Sequence, residues 1–154
     1  MLGIFKRINA SSRLYNEQTF YRTFERDLAS CNHEVIIESP FMTTRRLKTL
    51  LPLFQKLINR GVKVIVNTKP PYEHEDFLHF EAREGIAMLH DVGVEVLYTG
   101  GHHRKLAIFD RQILWEGSLN ILSQNDSCEV MRRTTSADTA MQMFRFIGVD
   151  RFLD

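Results

Sequence analysis

The order in which two hydrophobic periodicities alternate constrains this chain more than any other feature. Glu34-Val-Ile-Ile-Glu-Ser39 is a β-branched run stopped by Pro40, which also biases Ser39 toward extended backbone, so it reads as a buried strand. Thr43 or Thr44 then caps a helix in which Leu47, Leu50, Leu51, Phe54, Leu57 and Ile58 form one apolar stripe. Gly61 ends that helix, and Pro52 is expected near an early turn or at a bend. Val62 to Asn67 is the next strand. Pro70-Pro71 breaks the pattern before a helix from about Glu75 to Asp91, and Val94 to Tyr98 follows Gly93 as a third strand. An earlier helix runs from Glu17 to Ser30, with Asn16 as N-cap and Phe20, Phe24, Asp27 and Leu28 at helical spacing. Right-handed crossovers turn this αβαβαβ order into parallel strands covered by helices.

From Gly100 the rhythm changes. Lys105 to Phe109 and Ile113 to Gly117 read as two strands joined by a tight turn around Arg111 and Gln112; Cys128 to Thr134 is another strand, and Asp138 to Ile147 a closing helix. The expected fold is therefore α/β, a mixed, largely parallel β-sheet flanked by helices on both faces. No repeat or linker interrupts residues 1–154, so one domain is expected, with 1–16 as an irregular polar lead-in.

Composition narrows the function. With 44% hydrophobic and 25% charged residues the chain can bury a core, which excludes a disordered or collagenous chain. Twenty Lys and Arg against nineteen Asp and Glu leave a net charge of +1, so any anionic substrate must be held by a local cluster. Cys31 and Cys128 are too few for an extracellular disulfide framework and lack the spacing of a zinc site, so they are expected to be packed thiols in a reducing compartment. The apolar stretch after Met1 is far shorter than the roughly 7 to 15 residues of a signal-peptide core, and no run approaches the ~18 apolar residues of a membrane span. A cytoplasmic protein without membrane contact is expected.

The chemistry concentrates between Gly100 and Asn120. Side chains alternate across a strand, so His103, Lys105, Ala107 and Phe109 share one face and Arg104, Leu106, Ile108 and Asp110 the other. A two- or four-residue turn would place Lys105 opposite Ser118 and His103 opposite Asn120. An imidazole, an ammonium, a hydroxyl and a carboxamide would then converge; a one-residue slip would scatter them. A fixed cation with hydroxyl and amide donors suits phosphate oxygens, and an imidazole beside them can attack phosphorus or move a proton.

These residues also carry a resemblance. His103-Arg-Lys105-Leu-Ala-Ile-Phe-Asp110 fits His-x-Lys-(x)4-Asp, and Gly117-Ser118-Leu-Asn120 follows after six residues. The pattern resembles the phospholipase D superfamily, in particular its small single-motif bacterial nucleases, and Glu38-Ser39-Pro40-Phe41 and the strand order are similar as well. The resemblance implies that His103 forms a phosphohistidine, that Lys105, Ser118 and Asn120 cradle the nonbridging oxygens, and that Glu129 orients the imidazole. Asp110 belongs to the motif but falls on the other sheet face, which suits a supporting structural role. Because one chain carries one motif, the resemblance also implies a homodimer in which two such histidines bracket a phosphorus atom.

The remaining charged residues receive plainer readings. His74 and His79 are five residues apart, which on a helix separates them by roughly 140°, so they are expected to be surface or partly buried rather than metal ligands. His102 reads as a loop residue, and Trp115 and Tyr98 as core or rim packing. Arg45, Arg46 and Lys69 follow the first two strands on the carboxyl side, where open α/β sheets bind ligands, and suit a basic rim for a nucleic-acid backbone. The leading expectation is a metal-independent phosphodiesterase without cofactor, acting on DNA or RNA as an endonuclease. Its rivals are a phospholipid-acting phosphodiesterase and a non-catalytic nucleic-acid-binding or dimerisation module of a larger DNA-processing machine with a helicase or restriction partner.

Overall fold

The unbroken apolar runs sit where they must, in the middle of a sheet covered on both sides. A computed structural model describes residues 11–123 and 126–153. In chain order the elements are β1 (Ser11–Asn16), α1 (Phe20–Ala29), β2 (Glu34–Glu38), α2 (Thr44–Asn59), β3 (Lys63–Thr68), a short 3-10 helix (Pro71–Glu73), α3 (Asp76–Asp91), β4 (Glu95–Tyr98), β5 (Leu106–Phe109), β6 (Ile113–Gly117), β7 (Val130–Thr135), α4 (Ala137–Ile147) and a second 3-10 helix (Val149–Phe152). The strands form one sheet in the order β1-β7-β6-β5-β2-β3-β4.

The sheet is mixed, as expected, but not largely parallel. Among the named strands of the described residues, only β2–β3 and β3–β4 pair in parallel. The β1–β7, β7–β6, β6–β5 and β5–β2 pairs are antiparallel. The crossover rule correctly describes the first half of the chain, but β5 enters beside β2 from the opposite direction and starts a meander.

Two cores result. Phe20, Phe24 and Leu28 of α1 and Leu47, Leu50, Phe54 and Leu57 of α2 pack with Val35, Ile37, Ala107, Phe109 and Trp115 on one face. On the other, Ala140, Phe144 and Ile147 of α4 cover Ile36, Ile65, Leu106, Ile108 and Leu114. Asp27, the polar intrusion in the α1 stripe, accepts from Trp115 Nε1 at 2.9 Å and from Arg133 at 2.6 and 2.9 Å, which lets the indole be fully buried. That pairing raises the Arg133 guanidinium above its ordinary value, and ties the half-buried Arg133 to Asp27.

Several boundaries differ from expectation for local reasons. Residues 11–16 are a strand rather than an irregular lead-in; their side chains are mostly in solvent, so no hydrophobic pattern announces them, and the ladder to β7 holds them. Helix α1 starts at Phe20 because Asn16 Oδ1 accepts from the backbone N–H groups of Gln18 and Thr19 at 2.9 and 3.0 Å, forming an Asx turn that delays it. Thr43 caps α2, its hydroxyl accepting from Arg46 N at 3.3 Å, and the helix runs on through Pro52. Cys31 is buried, whereas Cys128 is exposed and therefore not a packed thiol.

Candidate active site

Topology brings most of the motif to one end of the sheet. The carboxyl ends of β2, β3 and β4 point the same way, and the antiparallel pairing of β5 to β2 places the start of β5 there too. The end of β6 and the start of β7 follow from their own antiparallel pairings. His103, Lys105, Gly117, Ser118, Asn120 and Glu129 therefore meet at this end. Asp110 lies at the other end of β5.

The register differs by one residue from the expected one. Phe109 pairs with Ile113, Ala107 with Trp115 and Leu106 with Glu116, so Lys105 stands opposite Gly117, whose N–H donates to Lys105 O at 3.3 Å. The turn has three residues, Asp110, Arg111 and Gln112, closed by Gln112 N–H to Phe109 O at 2.9 Å. It places Asp110 and Arg111 at φ 52° and 53°, costly for non-glycine residues, and tertiary contacts hold them there. Arg111 pairs with Glu34 at 3.0 Å and lies 4.1 Å over the Phe144 ring. The Asp110 carboxylate accepts from three backbone N–H groups: Asn32 at 2.9 Å, His33 at 2.8 Å and Glu34 at 2.9 Å. Burial pushes the Asp110 carboxyl upward, but the three donors outweigh it and hold it below the usual value.

Ser118 and Asn120 thus do not face Lys105 and His103 through ladder pairing. Ser118 Oγ instead accepts from Val130 N–H at 3.0 Å, tying β6 to β7. A Cβ at Gly117 would lie 2.1 Å from Val130 O, so only glycine admits this crossing. The chain after Ser118 passes the end of β2: Leu122 O accepts from Thr43 N–H at 2.9 Å, and Leu122 N–H donates to Ser39 Oγ at 3.3 Å. Along this segment the buried Asn120 Oδ1 has no hydrogen-bond partner.

His103 is exposed and Lys105 half-buried. Lys105 Nζ lies 3.2 Å from His103 Nδ1 and donates to His103 O at 2.8 Å, while His103 Nε2 makes no hydrogen bond among the described residues. Burial pushes the Lys105 ammonium below its ordinary value, with the nearby Glu129 carboxylate acting in the opposite direction. Glu129 is thus electrostatically coupled to Lys105; its backbone N–H is bound to Glu17 Oε2 at 2.9 Å. Beside His103 opens a cavity of about 410 Å³ lined by residues 99–104.

On the rim, Arg45 is exposed, and Lys69 lies 5.4 Å over the Phe41 ring. Arg46 does not belong there: it is 1% exposed, paired with Glu25 at 2.7 Å, bonded to Ile121 O at 3.2 Å and stacked over Tyr21. His79 Nδ1 contacts Pro71 O at 2.8 Å, and His74 is buried against Phe41. Among the described residues no three or more His, Cys, Asp or Glu side chains are grouped to hold a metal ion. Nor is any described helix long and apolar enough to cross a membrane.

The sequence reading missed a polar cluster behind His103. Glu38, fully buried at the end of β2, is bonded to His102 Nε2, to the Arg104 guanidinium and to Asn67 Nδ2. His102 is a loop residue, as expected, but a buried one. The signal available was a carboxylate ending an otherwise apolar strand, which must find donors if it is buried.

The chain resembles several solved structures. NucT from Helicobacter pylori superposes with a TM-score of 0.72 at 17% identity, covering 89% of this chain and 92% of that one. Nuc from Salmonella typhimurium, a phospholipase D family member, gives 0.70 at 14% identity, covering 89% and 91%. The archaeal chromatin protein TrmBL2, described with a novel mode of DNA binding, gives 0.62 at 10% identity, covering 92% of this chain and 52% of its own. No curated protein matches the chain significantly. The family described as "Cardiolipin synthase, PLD-like domain" matches residues 24–146, most of the chain and all of the His-x-Lys and Gly-Ser segments, so this protein belongs to the phospholipase D-like family.

Proposed function

We propose that the chain is a metal-independent phosphodiesterase, an endonuclease that cuts DNA or RNA through a phosphohistidine on His103, in a single domain that works as a homodimer. The observation that carries this reading is the Lys105 ammonium held against His103 Nδ1 at the ligand-binding end of the sheet, which leaves His103 Nε2 without a hydrogen bond among the described residues.

Lys105 donates to Nδ1, so a neutral ring in this arrangement holds its proton on Nε2. A phosphate that draws Lys105 onto its nonbridging oxygens releases Nδ1, which can then take the proton and present it to Glu129, leaving Nε2 with its lone pair free. Nε2 attacks phosphorus, the P–O bond to the leaving group breaks, and the partner's His103, protonated, gives its proton to the departing oxygen. Water then attacks phosphorus as that neutralised ring takes a proton from it, and the P–N bond breaks. Ser118 Oγ–H and Asn120 Nδ2–H complete the cradle as donors to the nonbridging oxygens. Asp110 supports the fold from the far end of β5. Arg45 and Lys69 hold flanking phosphates; TrmBL2, with the same fold, is described as binding DNA, which favours nucleic acid over a lipid headgroup.

The test is cleavage of labelled single- and double-stranded oligonucleotides in EDTA, against vesicles of phosphatidylcholine and cardiolipin. Cleavage that survives EDTA and vanishes in His103→Ala, with a ³²P adduct trapped on His103, supports the reading. Lipid turnover alone, loss of cleavage with EDTA, or nucleic-acid binding without turnover that His103→Ala leaves unchanged would each refute it.

A further inference from the structure

We infer that Glu38 is a positioning residue for His103: one buried carboxylate grips the residues on either side of it and so fixes the direction of its ring. The inference rests on the proposed role of His103. Glu38 is 0% exposed, yet it serves as acceptor for His102 Nε2 and for Arg104, whose Nε and Nη2 lie 3.2 and 3.1 Å from its oxygens. Asn67 Nδ2, at 3.1 Å, completes the cluster, and Asn67 Oδ1 in turn accepts from Thr99 Oγ1 at 2.9 Å. A carboxylate offers about four lone-pair sites, and these donors use them. Because a carboxylate only accepts, the His102 proton is on Nε2, and His102 Nδ1 is left buried without a partner.

This arrangement matters because of where the ladder ends. β5 begins at Leu106, so His103 and Arg104 precede the regular pairing that would otherwise hold their backbone. Side chains take over that task. Glu38 pulls residues 102 and 104 to the α4 side of the sheet, and alternation then turns residue 103 to the opposite side, where Lys105 lies. Upstream, Glu73 accepts from Gly101 N–H at 3.0 and 3.2 Å, anchoring the other end of the loop. Glu38 itself does not line the cavity beside His103, so its influence on the ring passes through residues 102 and 104. Misplacing a nucleophile by about 1 Å costs on the order of 100-fold in rate.

Melting temperature, kcat and KM on an oligonucleotide, and the ring signals of His103 in ¹³C-histidine-labelled protein test the inference in Glu38→Gln, His102→Ala and His102→Gln. Glu38→Gln, which offers one acceptor oxygen and a competing NH2, is expected to fold, to lose about 10- to 100-fold in kcat with KM within about twofold, and to show rotamer-averaged His103 signals. His102→Ala should behave in the same way. His102→Gln, whose amide still donates to Glu38, should keep kcat within about threefold of the parent. The inference is overturned if Glu38→Gln keeps its kcat, if the loss appears in KM alone, if both His102 variants lose equally, or if the His103 signals are unchanged. Should Glu38→Gln fail to fold, the two His102 variants make the same comparison. Should the parent cut no substrate, the proposed function fails, while the NMR comparison still decides whether Glu38 orients the ring.

Discussion

Asp110 belongs to the phosphodiesterase motif, yet its position makes it a latch, and its replacement separates stability from turnover. β5 alone is about 13 Å long, and Asp110 follows its last residue while His103 precedes its first. Asp110→Ala removes an acceptor from the N–H groups of Asn32, His33 and Glu34. Hydrogen bonds to a charged group contribute about 1.5–3 kcal/mol each when dry, but Asn32 and His33 are exposed and water can replace their partner. A loss of about 2–3 kcal/mol for the three is reasonable, and alanine at φ 52° adds about 1 kcal/mol. At about 2–4 °C per kcal/mol for a chain of this size, Asp110→Ala should melt roughly 6–16 °C lower. Asp110→Gly should recover about 1 kcal/mol of that strain. Asp110→Asn keeps one oxygen for His33 and Glu34 but turns an amide toward Asn32, at about 1–2 kcal/mol. The folded carboxyl titrates below its unfolded value, so its stabilisation is full above the unfolded pKa of about 4 and is lost as pH falls through the folded value. The gap between parent and Asp110→Asn in urea denaturation should therefore close in acid. Turnover per folded molecule should stay within about twofold of the parent. An Asp110→Asn protein that melts with the parent but loses more than tenfold in kcat would refute this assignment.

Other outcomes follow from the same geometry. Gly117→Ala forces a Cβ to 2.1 Å from Val130 O, so soluble yield or melting temperature should fall by more than any surface substitution does. Arg45→Ala should weaken nucleic-acid binding and lower the slope of log K against log salt by about 1, measured by fluorescence anisotropy; Arg46→Ala should instead lower the melting temperature, since it strips Glu25 and Ile121 O of a buried donor. With burial, and secondarily Asp110 and Asp27, pushing its thiol up to about 12, Cys31 should resist Ellman's reagent until the protein unfolds, whereas exposed Cys128 reacts at once. The rate should be bell-shaped in pH, because one imidazole must be neutral while its mate is protonated; a flat profile with chemistry rate-limiting would contradict the two-histidine mechanism.

Local periodicity and motif spacing were enough to identify the βαβαβ half, α4, the family, and His103 and Lys105 as neighbours. These depend on short-range rules: side-chain alternation, apolar stripes, and proline or glycine stops. Tertiary structure decided the rest. Strand β1 was illegible because an edge strand with solvated side chains is held by its ladder rather than by hydrophobic pattern. The β5–β6 register turned on Asp110 and Arg111 adopting positive φ, which Asn32, His33, Glu34 and Phe144 make affordable from distant parts of the chain. Arg45 and Arg46 are adjacent and alike in sequence, and only packing against Glu25, Tyr21 and Ile121 sends one inward. Glu38, His102 and Arg104 became a cluster by the same route, since an antiparallel β5 beside β2 brings residues 38 and 102–104 into contact across a separation that local sequence rules do not span.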